Sequence, residues 1–172
     1  MRIGMPHMGN IYIPFKALFQ RLNIDYVIPP INNQRTLSLG VKYSPEGACL
    51  PLKLTLGNLI EAAEMGADTL LMVGGYGICR LGYYAKTQAQ ILRDLGYNVE
   101  MIQFGVSEHK LFGILQLIKR LSNNTPWSKI IAAFRFGLAK LNALDRIERV
   151  VQKARPREHT KGAANHLYAK AV

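Results

Sequence analysis

The chain has 172 residues, 49% of them apolar, and a formal net charge of +11. That length fits one domain with a real core rather than two full ones, and that apolar share excludes a disordered polypeptide. No apolar run reaches the roughly 18 residues needed to span a bilayer, and the opening MRIGMPHMGN lacks the apolar stretch of a secretory leader, so a cytoplasmic location and no membrane partner are expected.

The elements follow in chain order. RIGMP (2–6) reads as a buried strand that ends at Pro6. Residues 12–22 place Ile13, Phe15, Leu18, Phe19 and Leu22 near helical spacing. DYVIPP (25–30) is a second strand closed by prolines, and 34–41 a short helix. CLPLKLTLGNLIEAAEMGA is a helix with Pro51 in its first turn and Gly66 near its end. DTLLMVGG (68–75) is a third strand, apolar throughout and therefore central. Residues 83–95 form a helix through Tyr84, Gln88, Ile91, Leu92 and Leu95, and YNVEMIQF (97–104) a fourth strand. Strands and helices that alternate at this spacing imply right-handed crossovers and a parallel sheet covered on both faces. The expected fold is α/β, a flavodoxin-like or Rossmann-like sheet of about four strands over 1–105. An α-helical extension over 106–172 follows, with a helix at 107–121, the loop SNNTP, a long amphipathic helix to Ala154 and a short helix near Gly162. Ten Lys or Arg and three Asp or Glu fall in residues 128–172, so the positive charge is concentrated there.

Topology gives the two cysteines a meaning that their number does not. Two cysteines make no disulfide framework. In a parallel α/β unit each helix begins at the carboxyl edge of the sheet. Cys49 opens the helix before the third strand, and Cys79 follows that strand in GGYGICRLGYY, so both fall on the edge where open α/β sheets bind ligands. Met5, Pro6 and His7 reach the same edge. A helix start favours a thiolate at Cys49, and Arg80 brings positive charge beside Cys79. Gly74, Gly75 and Gly77 allow a sharp turn and a close approach to a ligand. Tyr83 and Tyr84 are expected to pack or to cover the site. The loop lacks both the dinucleotide G-x-G-x-x-G register and a Walker end, and there is no Ser-His-Asp set, HExxH or C-x-x-C. No motif for ATP is present.

The stretches VKYSPEGACLPLKLTLGNLIEA and GADTLLMVGGYGICRLGYYAKTQAQILRDLGYNVEMI, with the A-C-L-P-x-K and G-x-C-R-x-G-x-Y motifs, resemble the 2-hydroxyacyl-CoA dehydratase family. More narrowly they resemble its acyl-CoA dehydratase activase-related branch, the CoA protein activases. The resemblance implies a 4Fe-4S cluster held between flavodoxin-like subdomains, with Cys49 and Cys79 as iron ligands. In such systems of anaerobic metabolism an ATP-hydrolysing activator sends an electron through the cluster to an acyl-CoA. Soft thiolates suit that iron. Arg80, Lys53 and the amides of Gly75 and Gly77 would then offset cluster charge and tune its potential.

The chain departs from that family in three ways. It is about half the usual length, it has two cysteines where the dehydratases use three, and Ile78 stands where proline is common. The resemblance therefore implies a third ligand from a second copy of the chain or from a longer dehydratase-like or activase-like subunit, or else an outside ligand such as water or substrate in the open position. On that reading the chain is an electron-transfer component of a lyase system with an acyl-CoA ligand. The alternative is a non-catalytic subunit that docks through its basic helical extension. A nucleic-acid role rests on charge alone, since the aromatic residues are not interleaved with basic ones.

Overall fold

The computed structural model describes residues 1–74, 79–104 and 111–171. Four strands form one parallel sheet: β1 (Ile3–Gly4), β2 (Tyr26–Val27), β3 (Thr69–Val73) and β4 (Glu100–Phe104). Their order is β2-β1-β3-β4, with β1 and β3 inside, which is the flavodoxin-like arrangement and places the third strand centrally as its composition requires. β3 and β4 pair over five residues, from Thr69 opposite Glu100 to Val73 opposite Phe104. β1 and β2 pair over two residues, shorter than the sequence patterns 2–6 and 25–30. Pro6 and the Pro29–Pro30 pair lack the N–H that a ladder needs, so neither strand could extend through them.

Two helical layers cover the sheet. On one face lie α1 (Tyr12–Arg21), α5 (Leu111–Leu121) and α6 (Trp127–Ala154). Their Phe19, Leu22, Leu121, Ile130 and Ala133 pack against Ile3, Leu71 and Ile102. On the other face lie α2 (Gln34–Tyr43), α3 (Leu50–Glu64) and α4 (Tyr84–Asp94). Leu56, Leu59, Ile60 and Leu92 pack there against Val27 and Leu70. Leu70 and Leu71 thus serve opposite cores, as adjacent residues of a strand must. The sequence pattern for 107–121 begins outside the described residues; its described part is α5.

α2 and α3 touch through their backbones. A Cβ added at Gly40 would lie 1.8 Å from the Lys53 carbonyl oxygen, and one at Gly57 would lie 2.0 Å from that of Thr36. Only glycine permits this approach. Asn33 caps α2: its side chain accepts from the Arg35 and Thr36 N–H groups at 2.8 and 3.2 Å. The same crossing buries Glu61, which is 2% exposed and accepts from the Thr36 hydroxyl at 2.9 Å and from Arg35 at 3.3 Å. A buried carboxylate with these partners costs far less than a bare one. The crossing fixes the start of α3, where Cys49 sits.

After the loop, α6 runs 28 residues, about 42 Å at 1.5 Å per residue. The short α7 (Ala163–Ala171) folds back along it. Glu158 accepts from the Gly162 and Ala164 N–H groups at 2.8 and 3.0 Å and caps α7. Asn10, Glu148 and Tyr168 then bond one another, with Asn10 to Glu148 at 2.8 Å and Tyr168 to Glu148 at 3.1 Å. The C-terminal helices are therefore tied to the turn after β1. Among the described residues, no helix is long and apolar enough to cross a membrane.

Candidate thiol site at the carboxyl edge of the sheet

Cys49 is the N-cap of α3, in extended backbone, with Pro51 in the first turn. Proline suits that place because the first turn has no use for its missing donor. Cys49 gives its carbonyl to the Leu52 and Lys53 N–H groups at 3.1 and 3.3 Å. Its sulfur makes no cap bond and turns elsewhere. Cys79 precedes a 3-10 turn over Arg80–Tyr83 and accepts the Gly82 N–H at 3.3 Å. Both cysteines are exposed free thiols.

The Cys49 sulfur and the Tyr84 hydroxyl are 2.6 Å apart. Tyr84 is the first residue of α4 and is 2% exposed. Burial pushes its phenol up to about 12, with the bond to Cys49 and the nearby Cys79 adding to the rise. The Cys49 thiol moves the other way. It is lowered first by the Tyr84 hydroxyl, then by the Leu52 N–H, whose geometric bond goes to the Cys49 carbonyl, and last by the charge of Arg80. The opposite shifts make the Tyr84 hydroxyl the more firmly protonated of the two groups and favour loss of the Cys49 proton. Cys79 acts electrostatically on Tyr84 and Arg80 on Cys49, so the two cysteine segments meet at this tyrosine.

Gln88, one turn after Tyr84 and fully buried, holds α4 in register with α3. Its amide donates to the Thr55 hydroxyl at 2.7 Å and to the Leu52 carbonyl at 3.3 Å. Leu52, Met72, Tyr84 and Ala85 form an apolar cluster under the site, with Met8 and Ala48 against it. The sequence gives Tyr84 a packing or covering role. The structure adds a hydrogen bond to Cys49, and Tyr83 beside it is 70% exposed. The signal available in sequence was the position of Tyr84 on the inward stripe of α4, ahead of Gln88, Ile91 and Leu92.

The other expected site residues divide. Arg80 is exposed and contributes its charge to Cys49. Lys53 is half-buried and donates to the Glu46 carbonyl at 3.3 Å. Gly75 and Gly77 lie outside the described residues. Gly74 is described, and its close neighbour is protein: an added Cβ would meet the Gln103 side chain at 2.3 Å. His7 reaches the edge but is buried, bonding the Pro29 carbonyl through Nε2 at 2.7 Å and packing edge-on against Tyr12. Among the described residues, no three His, Cys, Asp or Glu stand together as a metal-holding group.

The fold is a doubly wound α/β sheet with two exposed free cysteines, one capping α3 and one in the β3–α4 connection. Residues 2–72 match the family model described as the CoA enzyme activase uncharacterised domain. That segment, under half of the chain, runs from before β1 into β3 and contains Cys49. No curated protein and no solved structure matches the chain.

Proposed function

We propose that Cys49 and Cys79 are thiolate ligands of a 4Fe-4S cluster in an electron-transfer protein of the CoA-activase type. The observation that supports the reading is two exposed cysteines at one sheet edge, with the Tyr84 hydroxyl 2.6 Å from the Cys49 sulfur. The donor chemistry fits, because exposed thiolates are the protein groups that hold such clusters. The donor number fits half a site, and the remaining ligands come from a second copy or from a longer dehydratase-like subunit. When bound, the cluster supplies one-electron transfer, with an acyl-CoA as the final acceptor in the related systems.

The residues of this chain have separate tasks. Cys49 and Cys79 bind iron. Tyr84 holds the Cys49 sulfur by its hydroxyl proton, and Arg80 offsets negative charge; both favour the more reduced state. The α2–α3 crossing fixes Cys49, and Gln88 fixes Tyr84. Anaerobic reconstitution of the pure chain with ferrous iron and sulfide, followed by sedimentation, tests the shared site. A brown, iron-bearing species of twice the monomer mass is expected. A colourless monomer without iron in both the pure chain and its mixture with a longer activase-like subunit would sink the proposal.

A further inference from the structure

The outer face of α6 carries charge that the chain does not neutralise. Arg135, Arg146 and Lys153 stand 11 and 7 residues apart, which at 3.6 residues per turn puts them within about 20° of one line. The buried residues Ala133, Gly137, Leu144 and Val151 lie on the opposite side of the helix. The line is about 27 Å long at 1.5 Å per residue. All three cations are exposed, and among the described residues none has an ion-pair partner. Arg157 and Lys161, exposed as well, continue the charge past the helix end.

The carboxylates that could neutralise this face are committed elsewhere. Of the three in residues 128–172, Glu148 is held by Asn10 and Tyr168. Glu158 caps α7. Asp145 meets Arg149 at 3.8 Å, with both side chains more than half exposed, and such a pair contributes little. The face is also partly apolar. Leu138 and Val150 flank the line, one on each side, and are 56% and 67% exposed. Phe134 and Phe136 are turned away: Phe134 packs on the core around α1, and the Phe136 ring lies under Arg21 at 3.7 Å.

We propose that this face docks an acidic protein surface, one that sets carboxylates against Arg135, Arg146 and Lys153 and apolar side chains against Leu138 and Val150. The unbalanced sign calls for an anionic partner. A second copy does not meet that need, because the same basic face repels itself and each chain has a net charge of +11. A nucleic acid would use the arginines but not the two aliphatic side chains, and no ring on this line offers a base a stacking surface. Arginine beside apolar side chains is the pattern of protein interfaces. The proposal stands apart from the iron reading, since no cysteine takes part in it.

The probe is a helical peptide with Glu at the same 7- and 11-residue spacing and Leu between, labelled for fluorescence anisotropy with the full chain at physiological salt. One saturable site is expected, with affinity falling as salt rises. The same peptide with Gln for Glu should bind at least about tenfold more weakly, and Arg135→Glu with Arg146→Glu should weaken the acidic peptide as much. Should that variant not fold, Arg135→Gln with Arg146→Gln decides. Lys42→Glu with Arg93→Glu makes the same charge change on the helices across the sheet and should weaken binding less than about threefold, since distant exposed charges are screened. Leu138→Ser with Val150→Ser should weaken the peptide as well. Absence of saturable binding would overturn the proposal. Equal losses in the two charge-reversed pairs would overturn it too, because net charge rather than this face would then carry binding. So would a DNA duplex or phosphatidylserine vesicles bound more tightly than the peptide through Arg135 and Arg146.

Discussion

The Tyr84 hydroxyl lies 2.6 Å from the Cys49 sulfur, although one residue opens the helix after β3 in the chain and the other caps the helix before it. The bond sets which atom holds the proton. Burial keeps the phenol protonated to about 12, so the hydroxyl has a proton to offer the sulfur over the physiological range. Tyr84→Phe removes the donor and keeps the ring. The account predicts that the pH midpoint of Cys49 alkylation in the apoprotein, measured with Cys79 replaced by Ser, rises in Tyr84→Phe. An unchanged midpoint would mean that Tyr84 only packs.

Gln88 makes a companion case. Its Nε2 has two partners, yet its buried Oε1 has none. Gln88→Met loses the bonds and the unpartnered oxygen together. The net change in unfolding free energy is expected to be within ~1 kcal/mol, because one hydrogen bond contributes about that much and an orphaned acceptor costs a comparable amount. Urea unfolding checks this. A loss well beyond that range would show that the Oε1 atom is satisfied in solution.

The glycine crossing should be far less forgiving. Gly40→Ala and Gly57→Ala each drive a methyl into a carbonyl of the facing helix. Overpacking of this kind costs roughly 1–3 kcal/mol, and backbone contacts lie at the upper end because no rotamer relieves them. Each variant is expected to lower the urea midpoint, with Gly47→Ala, whose Cβ would meet nothing within 4 Å, as the control. Equal midpoints in all three would contradict the close crossing.

How much of this was legible in the sequence depends on how far each relationship reaches. β3 and α3 were visible because their apolar residues recur at a fixed period, and the shared edge of Cys49 and Cys79 follows from parallel topology alone. β1 and β2 read too long because the apolar pattern continues past Gly4 and Val27, where the ladder ends. The Tyr84 bond was hidden because it depends on the register of α4 against α3, which Gln88 and Thr55 set. Gly40 and Gly57 carry no signal in the sequence, because only the crossing of two helices gives them a partner.

Acid is expected to release the C-terminal helix early. The Gly162 and Ala164 N–H groups hold Glu158 below its ordinary carboxylate value. A carboxylate lowered in the folded state stabilises fully above its unfolded value, near 4.5, and that contribution is lost as pH falls through the folded value. Limited proteolysis near 155–162 should therefore speed up as pH drops below that range. Glu158→Gln should already show the faster cleavage at neutral pH. A Glu158→Gln chain as resistant as wild type would show that other contacts hold α7.

The central claim, that the two thiols bind an iron–sulfur cluster, is tested most directly by iron and acid-labile sulfide content after anaerobic reconstitution. Wild type, Cys49→Ala and Cys79→Ala should be compared, with circular dichroism confirming the fold of each. The account predicts about equal iron and sulfide in wild type, as a 4Fe-4S composition requires, and loss of both in either folded variant. Iron and sulfide retained in a folded Cys49→Ala or Cys79→Ala chain would contradict it.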